Sequence, residues 1–499
     1  MKRKDRNLHL EKLKGGLERS EQEKIDVFFD ALDHQIDMPL LGQNLLYRHF
    51  YDGFDHYLSK GYSVDEICKL IDVRYLGDFY RGDHRVSYSL DNAAIVYPLG
   101  MKYGQMPMFR LSVELKEKID PELLQLALDF TIRRFPTFSA VIKSGFFWHY
   151  LETVNHVINV EEESDIPCKP ISVLLRTYRS LRVLYYHKRI SVEFFHTITD
   201  GTGGMVFLKT LLKEYLRLKG VTVGDDEMIL DINEEADEKE SVNEFRNARG
   251  DASLSTFVDK KSLQVKGKPS HLNLRRIVHY EMDADKLHSV AKSYNGTVTA
   301  YIIALEFLAA EKCVKRKDGI FNIQVPVNMR KFNKSKTLRN YSMYFNASMD
   351  LSALPEKRKL VEEISRQIRE KGDENTMNQM MMTTGKIIKS LALVPLFIKV
   401  PIMQMVYGYL ANSIIGCTLS NLGVVKVPEG MKEAIEKFYF FFAPVSPTRV
   451  STSMVTVNDT TVFTVVRNGN DPCFEDELYE LLNEDHLIGK IEGSVEYES

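Results

Sequence analysis

The feature that most constrains this chain is a repeated switch of apolar period, strand-like to helical and back, in two runs divided by an acidic stretch. In the first run FRLSVELK (109–116) alternates like a strand, and IDPELLQLALDFTIRRFP (119–136) carries helical spacing up to Pro136. FSAVIKSGFFWHYLE (138–152) has the pattern of a hairpin, and RVLYYH (182–187) with ISVEFF (190–195) predicts another. A helix is expected from Met205 to Leu218, with Lys209, Lys213, Glu214 and Arg217 on its polar side. Residues 225–244 then hold ten acidic side chains and Lys239 as the sole base, which predicts an exposed connector.

Alternation resumes beyond it. RRIVHYEMD, FNIQVPVNMR, CTLSNLGVV, FYFFFAPV, RVSTSMVTVN and TTVFTVVRN read as strands, interleaved with helical patterns at 284–295, 297–313, 355–374 and 474–486. With 499 residues the chain exceeds one ordinary core, so two α/β lobes with mixed sheets are expected. The first 85 residues differ. KIDVFFDALDHQI (24–36) is helical in spacing, and Ser63 with Glu66 forms a capping-box pattern, predicting a helical extension. The expected division is 1–85 extension, 86–250 first lobe and 251–499 second lobe. A turn-helix in the extension resembles a nucleic-acid reader only superficially, because it lacks a basic recognition face.

Composition excludes more than it selects. A net charge of -3 offers no bulk attraction to nucleic acid or anionic membrane. Cysteines 68, 168, 313, 417 and 473 form no CxxC pair, so reduced thiols and a cytoplasmic setting are expected, as is no metal site. The N-terminal MKRKDRNLHLEKLKGG lacks the apolar core of a secretory signal. Val400 to Val425 is uncharged and long enough to span a bilayer, but Pro401, Gln404, Asn412, Ser413 and Asn421 interrupt it. A buried helix followed by a buried strand, without stable membrane insertion, is the expectation.

The chemistry gathers at SVEFFHTITDGTGGMVFLKTLL (191–212), where one histidine sits between a strand and a helix. His196 at a strand end, followed by small residues, is held rigidly and can accept a proton near neutral pH. Asp200 is expected to turn away and brace the loop through an ion pair. Gly201, Gly203 and Gly204 are expected to permit a sharp turn with free amides. On the motif alone, a core histidine with an N-capping aspartate reads equally well. A metal pair lacks a third ligand and a shared helical face. Cys417 has apolar neighbours and no evident base, so a buried thiol is expected over a nucleophile. The Met-rich MNQMMMTTGKII (377–388) fits core packing, with a greasy acyl pocket as the other reading.

Phe195-His196-Thr-Ile-Thr-Asp200-Gly201 resembles the HHxxxDG signature of the thioester-dependent acyltransferases, which include chloramphenicol acetyltransferase, alcohol acetyltransferases and condensation domains. FRLSVELKEKIDPELLQLALDFTIRRFPTFSA is similar to their first strand and helix, VPVNMRKF with LRNYSMYFN to their second-lobe strand and loop, and CTLSNLG to their crossing strand. The resemblance implies two chloramphenicol-acetyltransferase-like lobes around a tunnel, with His196 as general base, Asp200 and Gly201 shaping its loop, and Arg330 pairing with Asp200. It marks Ser420, Asn421 and Asn340 as donors near substrate or oxyanion, although Ser420 and Asn421 equally fit a plain strand end. Such donors can lower a barrier by about 3 kcal/mol each.

Departures are visible. Phe195 replaces the first histidine, Arg339 precedes Asn340 where many relatives carry glycine, and DFGWG of the plant branch is missing. The alcohol acetyltransferase branch fits best. It implies an acyl-CoA or phosphopantetheine thioester as cosubstrate, a small alcohol or amine as acceptor, an acyl carrier protein as a possible donor partner, and a monomer. The other class of reading is a non-catalytic scaffold that uses the helical extension to hold a partner.

Overall fold

MFRLSVEL, the clearest alternating segment, becomes a fully sandwiched strand at the heart of the first sheet. The computed structural model describes residues 3–82, 85–100, 106–154, 156–169, 172–174, 177–249, 251–252, 260–270, 274–409, 414–444 and 448–497. The extension supplies α1 (Arg3–Lys14), α2 (Arg19–Gln35), α3 (Leu40–Ser59) and α4 (Val64–Leu70). Next come β1 (Ser87–Ser89), α5 (Val96–Gly100), β2 (Met108–Leu115), α6 (Pro121–Thr131), β3 (Val141–Ser144), β4 (His149–Glu152), β5 (Val160–Glu162), β6 (Ser172–Leu174), β7 (Thr177–Arg179), β8 (Leu181–Tyr186), β9 (Arg189–Phe195) and α7 (Gly201–Leu218).

After the acidic stretch follow β10 (Arg276–Asp283), α8 (Ala284–Ser293), α9 (Val298–Cys313), β11 (Ile320–Asn328), α10 (Arg330–Asn333), β12 (Ser342–Asp350), α11 (Lys357–Lys371), α12 (Glu374–Ser390) and α13 (Leu396–Tyr409). The chain closes with β13 (Cys417–Val425), α14 (Met431–Ala434), β14 (Ile435–Phe442), β15 (Val450–Val457), β16 (Thr460–Arg467), α15 (Cys473–Glu484) and β17 (Ile488–Gly493).

Three sheets organise these elements. The first lobe is built on β14-β2-β9-β8-β5, the second on β12-β11-β13-β15-β16-β10-β17, and β1-β4-β3-β7-β6 forms a smaller sheet. Both large sheets are mixed: β5 runs parallel to β8, and β13 parallel to both β11 and β15. One strand breaks the sequence order. β14 lies among the last residues yet pairs antiparallel with β2, from Ile435 opposite Leu115 to Phe442 opposite Phe109. A cut at 250 therefore does not separate two sheets, and Gly250 itself lies outside the described residues.

The extension is a buttress fused to the first lobe. Phe28, Phe29, Phe50 and Phe54 pack together, and this cluster is continuous with the core of α6, α7 and β2. Polar clamps fix it. The Tyr57 hydroxyl donates to the Leu218 carbonyl at 2.6 Å, and His49 Nδ1 lies 2.8 Å from buried Asp129. The capping box at Ser63 and Glu66 is formed as its pattern predicts.

Three expectations change. The acidic stretch is pinned at points along its length: Glu240 pairs with buried Arg134, and its carbonyl accepts from Leu338 in the second lobe. The thiols are not all reduced. Cys313 and Cys473, 160 residues apart, form a disulfide that joins the end of α9 to the start of α15, because those helices pack side by side. The cytoplasmic expectation loses the support it drew from five free thiols. Finally, α13 is not buried all round: Ile402 is 52% and Met405 74% exposed, since among its described side chains the helix packs on α5 and the β3–β4 turn along one side. Positions 410–413 of that segment lie outside the described residues. No described helix is long and apolar enough to cross a membrane.

Candidate active site

The His196 loop is held from both ends. β9 pairs with β2 up to Phe195 opposite Met108, and one residue later the His196 amide donates to the Pro107 carbonyl at 3.0 Å. Asp200 then caps α7, its Oδ1 accepting from the amides of Thr202 and Gly203, each at 3.1 Å. The N-cap reading and the loop-bracing reading of Asp200 are thus both present in one carboxylate, because its two oxygens face different elements.

The glycines serve packing instead of a sharp turn. Gly201, Gly203 and Gly204 form the first turn of α7 in ordinary helical backbone. A Cβ on Gly203 would meet the Leu338 carbonyl oxygen at 2.2 Å and Thr199 Oγ1 at 2.3 Å, and one on Gly201 would meet Leu422 Cδ2 at 2.5 Å. At Gly203, where backbone of the second lobe presses on this helix, only hydrogen fits. The predicted start at Met205 is late by one turn for this reason: glycine lowers helix propensity, and the packing overrides it.

Asp200 Oδ2 reaches across to the second lobe. It accepts from Arg330 Nη1 at 2.7 Å and from the Tyr341 amide at 2.8 Å, both partners being largely buried. Arg330 is itself fixed by the carbonyls of Thr337 at 2.9 Å and Arg339 at 2.7 Å. A buried pair of this kind stabilises only when its remaining donors are satisfied, as they are here. Thr199 Oγ1 adds a further tie, donating to the Leu338 carbonyl at 2.7 Å.

Asn340 stands against the imidazole. Its Nδ2 lies 3.0 Å from His196 Nδ1 and donates to the His196 carbonyl at 2.9 Å, while its Oδ1 accepts from Ser342. The bond to the carbonyl holds in either ring tautomer. Arg339, the departure from glycine, turns away from the ring: it is 2% exposed and its Nε bonds Asp91 at 3.1 Å, with further bonds to the carbonyls of Ser241 and Ser89. Burial pushes the Asp91 carboxyl up to about 7 against the pull of Arg339.

Two aromatic rings that the sequence did not single out complete the setting. Tyr97 on α5 stacks on His196 with centroids 5.1 Å apart, and Phe109 on β2 meets it edge-on at the same separation. No short-range signal marks them; only the register of β2 against β9 brings Phe109 into place. Burial lowers the His196 pKa, opposed by Asp200 and the carbonyls of His196 and Thr199, so the imidazole is neutral at pH 7. His196 is nevertheless half-buried, whereas Ile190 to Phe195 and Thr197 to Asp200 are buried throughout. Residue 196 is thus the one partly exposed position between Ile190 and Asp200.

The remaining candidates separate. Ser420 is half-buried on β13, two residues before Leu422, which packs on Gly201. Asn421 points elsewhere: it donates to Thr299 Oγ1 at 3.0 Å and accepts from the Gly423 amide at 2.7 Å, so its amide holds the bulge in β13. Cys417 is fully buried with its thiol pKa raised by burial, which leaves it no thiolate at neutral pH. Met377, Met380 and Met381 are buried in the second-lobe core. Among the described residues no group of three or more His, Cys, Asp or Glu could hold a metal ion.

Neither a protein-family model nor a curated protein matches the chain by sequence. Solved structures do match in shape. The chain is similar to Fusarium sporotrichioides TRI101 complexed with coenzyme A and T-2, with TM-score 0.53, 12% identity, and coverage of 80% of this chain and 97% of that one. It is also similar to the first condensation domain of the calcium-dependent antibiotic synthetase, with TM-score 0.53, 11% identity, and coverage of 81% and 97%. A third match is trichothecene 15-O-acetyltransferase from F. sporotrichioides, with TM-score 0.50, 12% identity, and coverage of 80% and 94%. The chain therefore has the two-lobed chloramphenicol-acetyltransferase-like fold shared by thioester-dependent acyltransferases and condensation domains. The helices α1–α4 precede the first lobe.

Proposed function

We propose that this chain is an acyltransferase that moves an acyl group from a thioester to an alcohol or amine, with His196 as general base. The observation that carries the reading is a neutral imidazole, on the one partly exposed residue between Ile190 and Asp200, at the junction of two lobes, in a loop whose aspartate is tied across that junction to Arg330. His196 Nδ1 lies against Asn340, which leaves Nε2 for substrate, and in the tautomer that carries its proton on Nδ1 the Nε2 lone pair is the free base. Nε2 takes the acceptor's proton as its oxygen or nitrogen attacks the thioester carbonyl. Collapse of the tetrahedral intermediate breaks the C–S bond, and the imidazolium returns that proton to the departing thiolate. The Ser420 hydroxyl is the proposed donor to the oxyanion, by its place on β13 beside the His196 loop. Arg330 and Asn340 position the base without touching reacting atoms.

Acyl-CoA is the proposed donor, supported by the fold shared with TRI101 in its coenzyme A complex; an acyl carrier protein presents the same phosphopantetheine arm. Small alcohols or amines are the proposed acceptors, and a passage between the lobes is the proposed route to His196. Incubation with short and medium acyl-CoAs and a panel of alcohols and amines, following free thiol, tests this directly. Thiol release that disappears in His196→Ala is the expected result. Absence of turnover with every donor, acyl carrier protein included, would instead favour the scaffold reading.

A further inference from the structure

The second lobe carries a surface that its fold does not explain. Leu393 is 83% exposed in the connection between α12 and α13, and Phe397 is 72% and Met405 74% exposed along α13, where a folded chain ordinarily hides such residues. Phe146, 67% exposed, and Phe147 join them from the β3–β4 turn. The two parts are one rigid face. The Leu396 amide donates to the Phe146 carbonyl at 2.8 Å, and Lys399 Nζ donates to the Phe147 carbonyl at 2.8 Å while sitting 3.1 Å over the Trp148 ring. Buried Lys399 thus clips the aromatic turn to the helix.

Charge identifies what covers this face. From Asn375 to Pro428 the sequence contains no Asp or Glu, and neither do the turn residues Ser144 to His149 nor α5, which packs on α13. Lys386 and Lys389 stand exposed at its edge without an ion pair among the described residues. An apolar patch with aromatic tips, a cationic rim and no acid has the chemistry of an interfacial membrane contact. A second copy would bring no acid to Lys386 and Lys389, because this face carries none.

We propose that the face formed by α13, the end of α12 and the β3–β4 turn docks on the surface of an anionic phospholipid bilayer, without spanning it. Phe146, Phe147, Leu393, Phe397 and Met405 enter the acyl boundary, and Lys386 with Lys389 lie among the lipid phosphates. The net charge of -3 does not oppose this, because it is the local sign of the surface that the lipid meets. Since α13 packs on α5 and Tyr97 of α5 stacks on His196, the docked face is one helix away from the imidazole.

Co-sedimentation of the full chain with vesicles tests the assignment, comparing phosphatidylcholine alone with a phosphatidylcholine–phosphatidylglycerol mixture. Binding to the anionic vesicles, weakened by salt, is expected. Lys386→Gln with Lys389→Gln should lower it by about 30-fold, and Leu393→Ser with Phe397→Ser by at least about tenfold. These side chains are exposed, so the melting temperature of each variant should equal that of the parent. No binding to anionic vesicles, or binding unchanged in both variants, overturns the proposal. So does a dimer in light scattering that Leu393→Ser with Phe397→Ser returns to monomer.

Discussion

Arg330 and Asp200, 130 residues apart in sequence, meet at 2.7 Å with both side chains largely buried, so the loop that carries His196 is locked by a residue of the opposite lobe. Replacing Arg330 with Met leaves a buried carboxylate served only by backbone amides. Denaturant unfolding should show a loss of about 2–4 kcal/mol. Adding Asp200→Asn should recover part of that loss, with a coupling of about 1–3 kcal/mol in the double-mutant cycle. Additive effects would mean that the pair does not act as a unit.

His196→Ala should reduce acyl transfer by about 10²–10⁴-fold while leaving the fold intact. A general base acts only when unprotonated, and burial lowers the pKa of His196, the proposed base. The acid limb of kcat/KM should therefore fall below the ordinary histidine value of about 6.5. A limb above that value would contradict the placement of the ring.

Asn340→Asp puts a carboxylate 3.0 Å from His196 Nδ1, where an amide now stands. A neighbouring negative charge favours the imidazolium, so the acid limb should move up by about one unit or more. The pH profile distinguishes this from simple misfolding, which lowers activity at every pH alike.

Glu306 on α9 gives a stability signature remote from the site. It is wholly buried, accepts one hydrogen bond from Thr452 Oγ1, and burial pushes its carboxyl up to about 8. The native state therefore holds a proton that the unfolded chain releases near pH 4 to 5. The stability present below that range should decline as pH rises toward 8 and level off above it. Glu306→Gln should remove this component of the slope and be more stable than the parent at alkaline pH, by roughly 2–4 kcal/mol. Thermal melts across pH in both proteins measure it.

The Cys313–Cys473 bond closes a loop across a sequence separation of 160. Replacing both cysteines with serine should cost about 3–5 kcal/mol, mostly through a less constrained unfolded chain. Reductant should lower the melting temperature of the parent and leave the variant unchanged.

What could be read beforehand follows from the range of each interaction. The Ser63–Glu66 box and the hairpin leading to His196 are local, so spacing alone predicts them. Arg330 and Asn340 came from resemblance, since their contacts with Asp200 and His196 span more than a hundred residues. Tyr97, the Asp91–Arg339 pair and the disulfide left no trace, because each depends on how distant elements finally stack. The glycines are visible in the sequence, but their cause, the pressure of Leu338 and Leu422 from the other lobe, lies in no window around 200. The opposite failure befell α13, whose apolar run suggested burial that its position on the flank of α5 does not provide.

The late strand β14 has a bearing on biosynthesis. Until Ile435 to Phe442 have left the ribosome, β2 presents an unpaired backbone edge, the arrangement that recruits foreign strands. The lobe that carries His196 is translated early yet completed last, so fragments lacking the C-terminal part should aggregate rather than persist as half-molecules.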